Sequence, residues 1–144
     1  MKTTAKLFLL VLTISLVSCS KSNDNNVTPS NTDKTQQVSG NWTVTYYLDS
    51  GKNETSDFAG YNFAFNTSDV LKATNGLNSF TGTWRIGDSS NDDDSSSNKL
   101  VIMISGNKAM DDLSHDWLIE KITETEIWLK DDNVSSNEAI HFGR

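Results

Sequence analysis

The 144 residues contain one cysteine, one proline and two histidines. A lone cysteine, Cys19, excludes an internal disulfide and any cysteine cluster for a metal. The histidines, His115 and His141, fall on different expected strands, and no His or Cys stands at metal-ligand spacing from either. Basic side chains are scarce, 12 Lys and Arg against 19 Asp and Glu, for a net charge of -7. An acidic chain is a poor partner for nucleic acid, whose binding rests on phosphate neutralisation, and for an anionic membrane face. No apolar run approaches the roughly 20 residues of a spanning helix. No glycine-rich phosphate loop precedes a helix. Ser114-His115-Asp116 is not a catalytic triad, because neighbours on a strand point to opposite faces. These absences lead us to expect no enzymatic activity, no cofactor and no metal.

The N-terminus is richer in signal. Lys2 and Lys6 precede Leu7 to Val17, an apolar run broken only by Thr13 and Ser15. A charged start and a short apolar stretch are the layout of an export signal, too short to be a stable anchor. Leu16-Val17-Ser18-Cys19 resembles the bacterial lipobox, in which small residues admit the peptidase and the thiol takes up diacylglycerol. We therefore expect residues 1–18 to be a cleaved lipoprotein signal and Cys19 to carry acyl chains such as palmitate. Loss of Lys2 and Lys6 takes the formal charge from -7 to -9. Residues 19–38 read as the lipidated cysteine and a flexible tether. They are rich in Ser, Asn, Thr, Asp and Gln, hold Pro29, and offer only Val27 and Val38 as aliphatic side chains.

From residue 39 onward the apolar pattern has period two, the mark of half-buried strands. Eight short strands are expected, over residues 42–48, 61–65, 70–73, 80–86, 100–104, 115–122, 126–130 and 138–142. Asp49-Ser50-Gly51-Lys52-Asn53 and Thr74-Asn75-Gly76 carry turn chemistry, and residues 107–114 could hold one short helical turn. Such a succession favours a small all-β, eight-stranded antiparallel up-and-down barrel, which leaves no exposed edge; a β-sandwich is the rival.

Gly40-Asn41-Trp42, Gly82-Thr83-Trp84, Asp116-Trp117 and the terminal Phe142-Gly143-Arg144 resemble the lipocalin-like lipoproteins of Bacteroidota over about residues 38–144. The resemblance implies a lipocalin-like barrel with Trp42 closing one end under Arg144, and a small hydrophobic ligand inside. The Thr-Asp-Tyr turn usual in lipocalins is missing. Ser20 after the cysteine, rather than aspartate, implies outer-membrane sorting, with the protein a monomer held in the cell envelope through Cys19.

The expected inward set is Trp42, Val44, Tyr46, Phe63, Phe65, Phe80 and Trp84. Rings of that number either fill a barrel outright or leave a cup walled by Tyr46, Phe63, Phe65 and Trp84 for an apolar ligand. An apolar cavity would favour a small-molecule binder. A filled core with an exposed aromatic patch would favour a module that presents its surface to a protein or glycan. Tyr47 and Trp128 fall opposite the inward faces and are the side chains to check for that patch. The acidic loop Asn91-Asp92-Asp93-Asp94 offers oxygens to calcium but lacks the ordered Asp spacing and pivot glycine of an EF-hand loop, so a solvated hairpin is the simpler reading.

Each buried methylene contributes about 0.8 kcal/mol and a single chain anchors only marginally, so stable anchoring needs more than one. Mass spectrometry of the mature protein should find Cys19 N-terminal and multiply acylated, and Cys19→Ser should move the protein out of the membrane fraction. A mature mass without acyl chains would end this reading.

Overall fold

Alternating apolar and polar residues build one sheet that closes on itself in the computed structural model, which describes residues 31–87, 98–133 and 135–144. A helix α1 (Asn31–Val38) leads into β1 (Gly40–Asp49), followed by the two-residue β2 (Lys52–Asn53) and a 3-10 turn (Thr55–Phe58). Then come β3 (Asn62–Phe65), β4 (Val70–Thr74), β5 (Ser79–Ile86), β6 (Lys99–Met103), a helix α2 (Lys108–Leu113), β7 (Asp116–Ile122), β8 (Glu126–Asp131) and β9 (Ala139–Gly143). Every pairing is antiparallel and between neighbours, and β1 pairs with β9 to close an eight-stranded up-and-down barrel. The single closed sheet excludes the sandwich. The extra strand β2 only extends the tip of β1, through a two-residue turn in which Ser50 and Gly51 both have positive φ, 49° and 79°. No described helix is long and apolar enough to cross a membrane.

The strand registers give the barrel two distinct ends. The start of β1 lies with the ends of β3, β5, β7 and β9, and α1 packs there against β5 and β7. The opposite end carries α2, inserted between β6 and β7, together with the last residues of β1 and β8.

The helix α1 corrects the expectation of a tether running to Val38. Its last residue, Val38, is fully buried, and Lys34 is 8% exposed with Nζ donating to Asn98 Oδ1 at 2.9 Å. Eight residues are too few to be helical alone in water, so docking on the barrel holds the element together. Gly40 makes the exit from α1 possible. Its φ of +131° suits glycine, and a Cβ there would stand 2.5 Å from Arg144 Nη1.

A β-bulge between Val44 and Tyr46 corrects the inward set. The register of β1 against β9 slips by one residue there, so Val44 faces Phe142 while Tyr46 faces His141 and Tyr47 faces Ile140. One extra residue reverses the facing of everything after it. Tyr47 is consequently 2% exposed in the core, and Tyr46 stands on the outer face. A second bulge, between Ile119 and Lys121 in β7, turns Lys121 outward and leaves Ile122 opposite the buried Ile127.

Replacing Tyr47 with Ala should cost about 3–5 kcal/mol of stability, as for other buried aromatics, whereas Tyr46→Ala should cost about 1 kcal/mol or less. Denaturant unfolding of the two variants measures this, and equal losses would contradict the bulge.

Candidate functional site

Of the four expected ligand walls, Tyr46 lies on the outer face and the other three occupy the interior themselves. Phe63, Phe65 and Trp84 are each no more than 1% exposed, and their rings touch further rings rather than a void. Trp84 meets Phe65 edge-on at 5.4 Å between centroids, Phe65 meets Phe142 at 5.7 Å, and Phe142 meets Phe63 at 5.7 Å. Phe63 continues to Phe58 at 6.1 Å, Phe58 to Tyr47 at 4.8 Å, and Tyr47 to Trp117 at 6.5 Å. Such pairs each contribute about 0.5–1.5 kcal/mol beyond the area they bury. The chain of rings runs from one end of the barrel to the other. Among the described residues, then, the interior is a packed core and not a cup.

Each of the three buried indoles donates to a backbone carbonyl: Trp42 to Val38 O at 2.7 Å, Trp117 to Leu113 O at 3.0 Å and Trp84 to Asn66 O at 2.9 Å. Trp42 and Arg144 are together, with the guanidinium carbon 4.0 Å above the indole centroid. Arg144 also donates through Nε to Glu124 O and through Nη1 to Ser39 O, the latter at 3.3 Å. That cluster ties the last residue to the first strand and closes the α1 end.

At the α2 end the inward register runs on past the core into polar residues. His115 precedes the buried Trp117 by two, Asp131 follows the buried Leu129 by two, and Glu138 precedes the buried Ile140 by two. Period two therefore aims all three into the mouth. One donor atom from each lies within 4.8 Å of the others, and His115 Nδ1 is 3.9 Å from Asp131 Oδ1. Asp131 is 6% exposed. Burial would raise its carboxyl, but hydrogen bonds from Ser136 and the Asn133 N–H outweigh that and hold it below the usual range. Burial raises the Glu138 carboxyl, and the neighbouring Asp131 charge adds to it. Burial likewise pushes the Tyr47 phenol far above its ordinary value, with Asp112 contributing. A cleft of about 180 Å³ opens beside these groups, lined also by Asp49, Asp112 and Ser114.

A second acidic trio at the same end, Asp49, Glu54 and Asp112, is already served. Lys108 Nζ pairs with Asp112, with Glu54 at 3.5 Å and with Asp49 at 3.8 Å.

On the outer face a ladder crosses four strands in direct register: Lys121 opposite Trp128, Trp128 opposite His141, and His141 opposite Tyr46. Lys121 Nζ sits 4.3 Å from the Trp128 ring centroid. The Trp128 and His141 rings stack at 4.6 Å with planes 11° apart, and Tyr46 leans on His141 at 5.0 Å. The ion pairs Lys121–Glu126 at 2.5 Å and Lys130–Glu120 at 2.6 Å flank it. The two bulges aim its end members, Tyr46 and Lys121, outward. Trp128 is thus on the outer face as expected, but its companion is Tyr46 rather than Tyr47.

Sequence reading missed Phe58, Trp117 and Phe142 as core rings, and it missed the convergence of His115 with Asp131 and Glu138. Phe142 and Trp117 were legible by parity with Ile140 and Ile119. The polar trio was not, because each member stands beyond its strand's apolar run. The calcium question at residues 91–94 lies outside the described residues.

An NMR structure of a protein from Burkholderia xenovorans is similar to this chain at a TM-score of 0.50 and 15% sequence identity, covering 81% of this chain and 90% of that one. A DUF4847 family protein from Bacteroides vulgatus is similar at a TM-score of 0.49 and 11% identity, over 73% of this chain and 92% of that one. No family model and no curated protein matches the chain. At such identities the likeness to the Burkholderia protein speaks for the barrel architecture alone.

Proposed function

We propose that the chain is a non-enzymatic interaction module of the cell envelope, lipid-anchored through Cys19 to the outer membrane, whose barrel is a solid scaffold and whose binding face is external. One observation carries this reading: the interior is filled by side chains, while Tyr46, His141, Trp128 and Lys121 form a part-exposed ladder outside. The filled interior is what ranks it above an enclosed apolar ligand.

The partner that fits the ladder is a glycan. The indole and imidazole face one another, with Lys121 over the indole, so it is the outer edges of the stacked rings that offer apolar contact to the C–H groups of a sugar. The flanking ammonium and carboxylate groups offer hydrogen bonds to its hydroxyls, an apolar centre with a polar rim. Trp42, Trp84 and Trp117 are at most 1% exposed, which leaves Trp128, of four tryptophans, to report binding by fluorescence. Titration with soluble peptidoglycan fragments or envelope oligosaccharides should shift its emission, and Trp128→Ala should abolish retention on the immobilised glycan. Retention unchanged in a Trp128→Ala, His141→Ala double variant would remove the ladder from consideration.

The ladder also has a pH signature. Burial lowers the His141 pKa, Lys121 acts in the same direction, and Glu120 and Glu126 oppose them. The folded state therefore favours neutral imidazole more than the unfolded chain does. Between the folded value and the unfolded value of about 6.5, the unfolded chain binds more protons. The contribution is complete above that unfolded value and is lost as pH falls through the folded one. His141→Phe should flatten this slope in denaturant unfolding measured across the acidic range.

A further inference from the structure

We propose that His115, Asp131 and Glu138 form a binding site for a divalent transition-metal cation, with zinc the ion their donor set fits. Three features of the mouth converge on this. The first is the donor set itself, one imidazole nitrogen and two carboxylates whose ligating atoms lie within 4.8 Å of one another. Three protein ligands with the remaining position open are the pattern of a zinc site that keeps a solvent ligand. The cleft of about 180 Å³, to which His115 and Glu138 contribute, gives that position its access. Zinc to N or O distances of about 2.0–2.2 Å imply tetrahedral edges of roughly 3.5 Å, so the trio needs to contract by about 1 Å. Calcium wants six to eight oxygens, and an imidazole does not suit it.

The second feature is an unpaired donor. His115 Nδ1 is shielded from solvent and has no hydrogen-bond partner, although the ring as a whole is 38% exposed. A buried polar atom left unmet is costly, and a cation bound at its lone pair would remove that cost. No described residue donates a hydrogen bond to the Glu138 carboxylate, and Asp131 keeps only short-range donors from its own turn.

The third feature is the contrast with the neighbouring trio. Asp49, Glu54 and Asp112 converge just as closely, and Lys108 supplies their positive charge. Among the described residues no lysine or arginine does so for Asp131 and Glu138. The backbone beneath the site is pinned: the Asp131 N–H donates to Glu138 O at 3.1 Å and the Ile102 N–H to His115 O at 3.0 Å. Ligands held this way lose little entropy on binding.

The test is isothermal titration of the full chain with Zn²⁺, carrying Cys19→Ser so that no thiol competes. Co²⁺ serves as a spectroscopic probe of tetrahedral coordination. The expected result is about one equivalent bound. His115→Ala and Glu138→Gln should each weaken it at least ~10-fold, the lower end of what loss of a mere supporting residue costs. Glu54→Gln, in the lysine-served trio, should leave it unchanged. Circular dichroism of each variant confirms the fold, and Glu138→Gln keeps the shape of the side chain. Absence of Zn²⁺ binding, or binding indifferent to both ligand variants, would overturn the proposal.

Discussion

A buried indole must find an acceptor for its N–H, and much of this barrel follows from that requirement. Leaving such a donor unmet costs about 1–3 kcal/mol, and Trp42, Trp84 and Trp117 are all in the core. Two of their acceptors are the carbonyls of Val38 and Leu113, the last residues of α1 and α2. The final carbonyls of any helix lack partners within it. Each short helix and its indole therefore complete one another, four residues apart, once at each end of the barrel. Neither helix has the length to persist by itself. The end closures and the aromatic core are thus one cooperative unit.

A packed interior displaces chemistry to the rims and the outer wall. The side chains that ended pointing inward beyond the core, at the α2 end, are charged or ionisable, and neighbouring strand ends bring them together. The acidic mouth and the aromatic ladder are products of the same rule of alternation. One arises where the inward register outruns the apolar residues. The other arises where a bulge turns that register over. An irregularity of one residue, at Thr45 and again at Glu120, decides which face a ring or an ammonium occupies. Without the second, Lys121 would share the facing of Trp117 and Ile119, and its charge would be buried.

The strands were legible in the sequence because half-buried strands alternate and turns have their own residues. Asp49-Ser50-Gly51-Lys52 is a two-residue turn as its composition implies, and Trp42, Phe63, Phe65 and Trp84 do face inward. Tyr46 was misplaced because nothing in Val44-Thr45-Tyr46-Tyr47 distinguishes a bulge from a regular strand; cross-strand register decides it. The helix α1 escaped notice because its only apolar residue is Val38, and its docking depends on contacts far along the chain, such as Lys34 with Asn98. Phe58 reaches the core from a polar loop, by the 3-10 turn that delivers it. His115, Asp131 and Glu138 come from three separate strand ends, so no local spacing could have joined them.

The seam between β1 and β9 has a kinetic side. Thr43 Oγ1 donates to Gly143 O across 100 residues of sequence, and the barrel has no closed form until those two strands meet. Pairing of such separation is slow to form, because the loop must close before any contact rewards it. The strand that β1 awaits, β9, is made about 100 residues after it. For a chain with an export signal, as proposed, that delay is useful. A polypeptide unable to complete its sheet early stays threadable through a secretion channel, and would lock only after β9 reaches β1 on the far side.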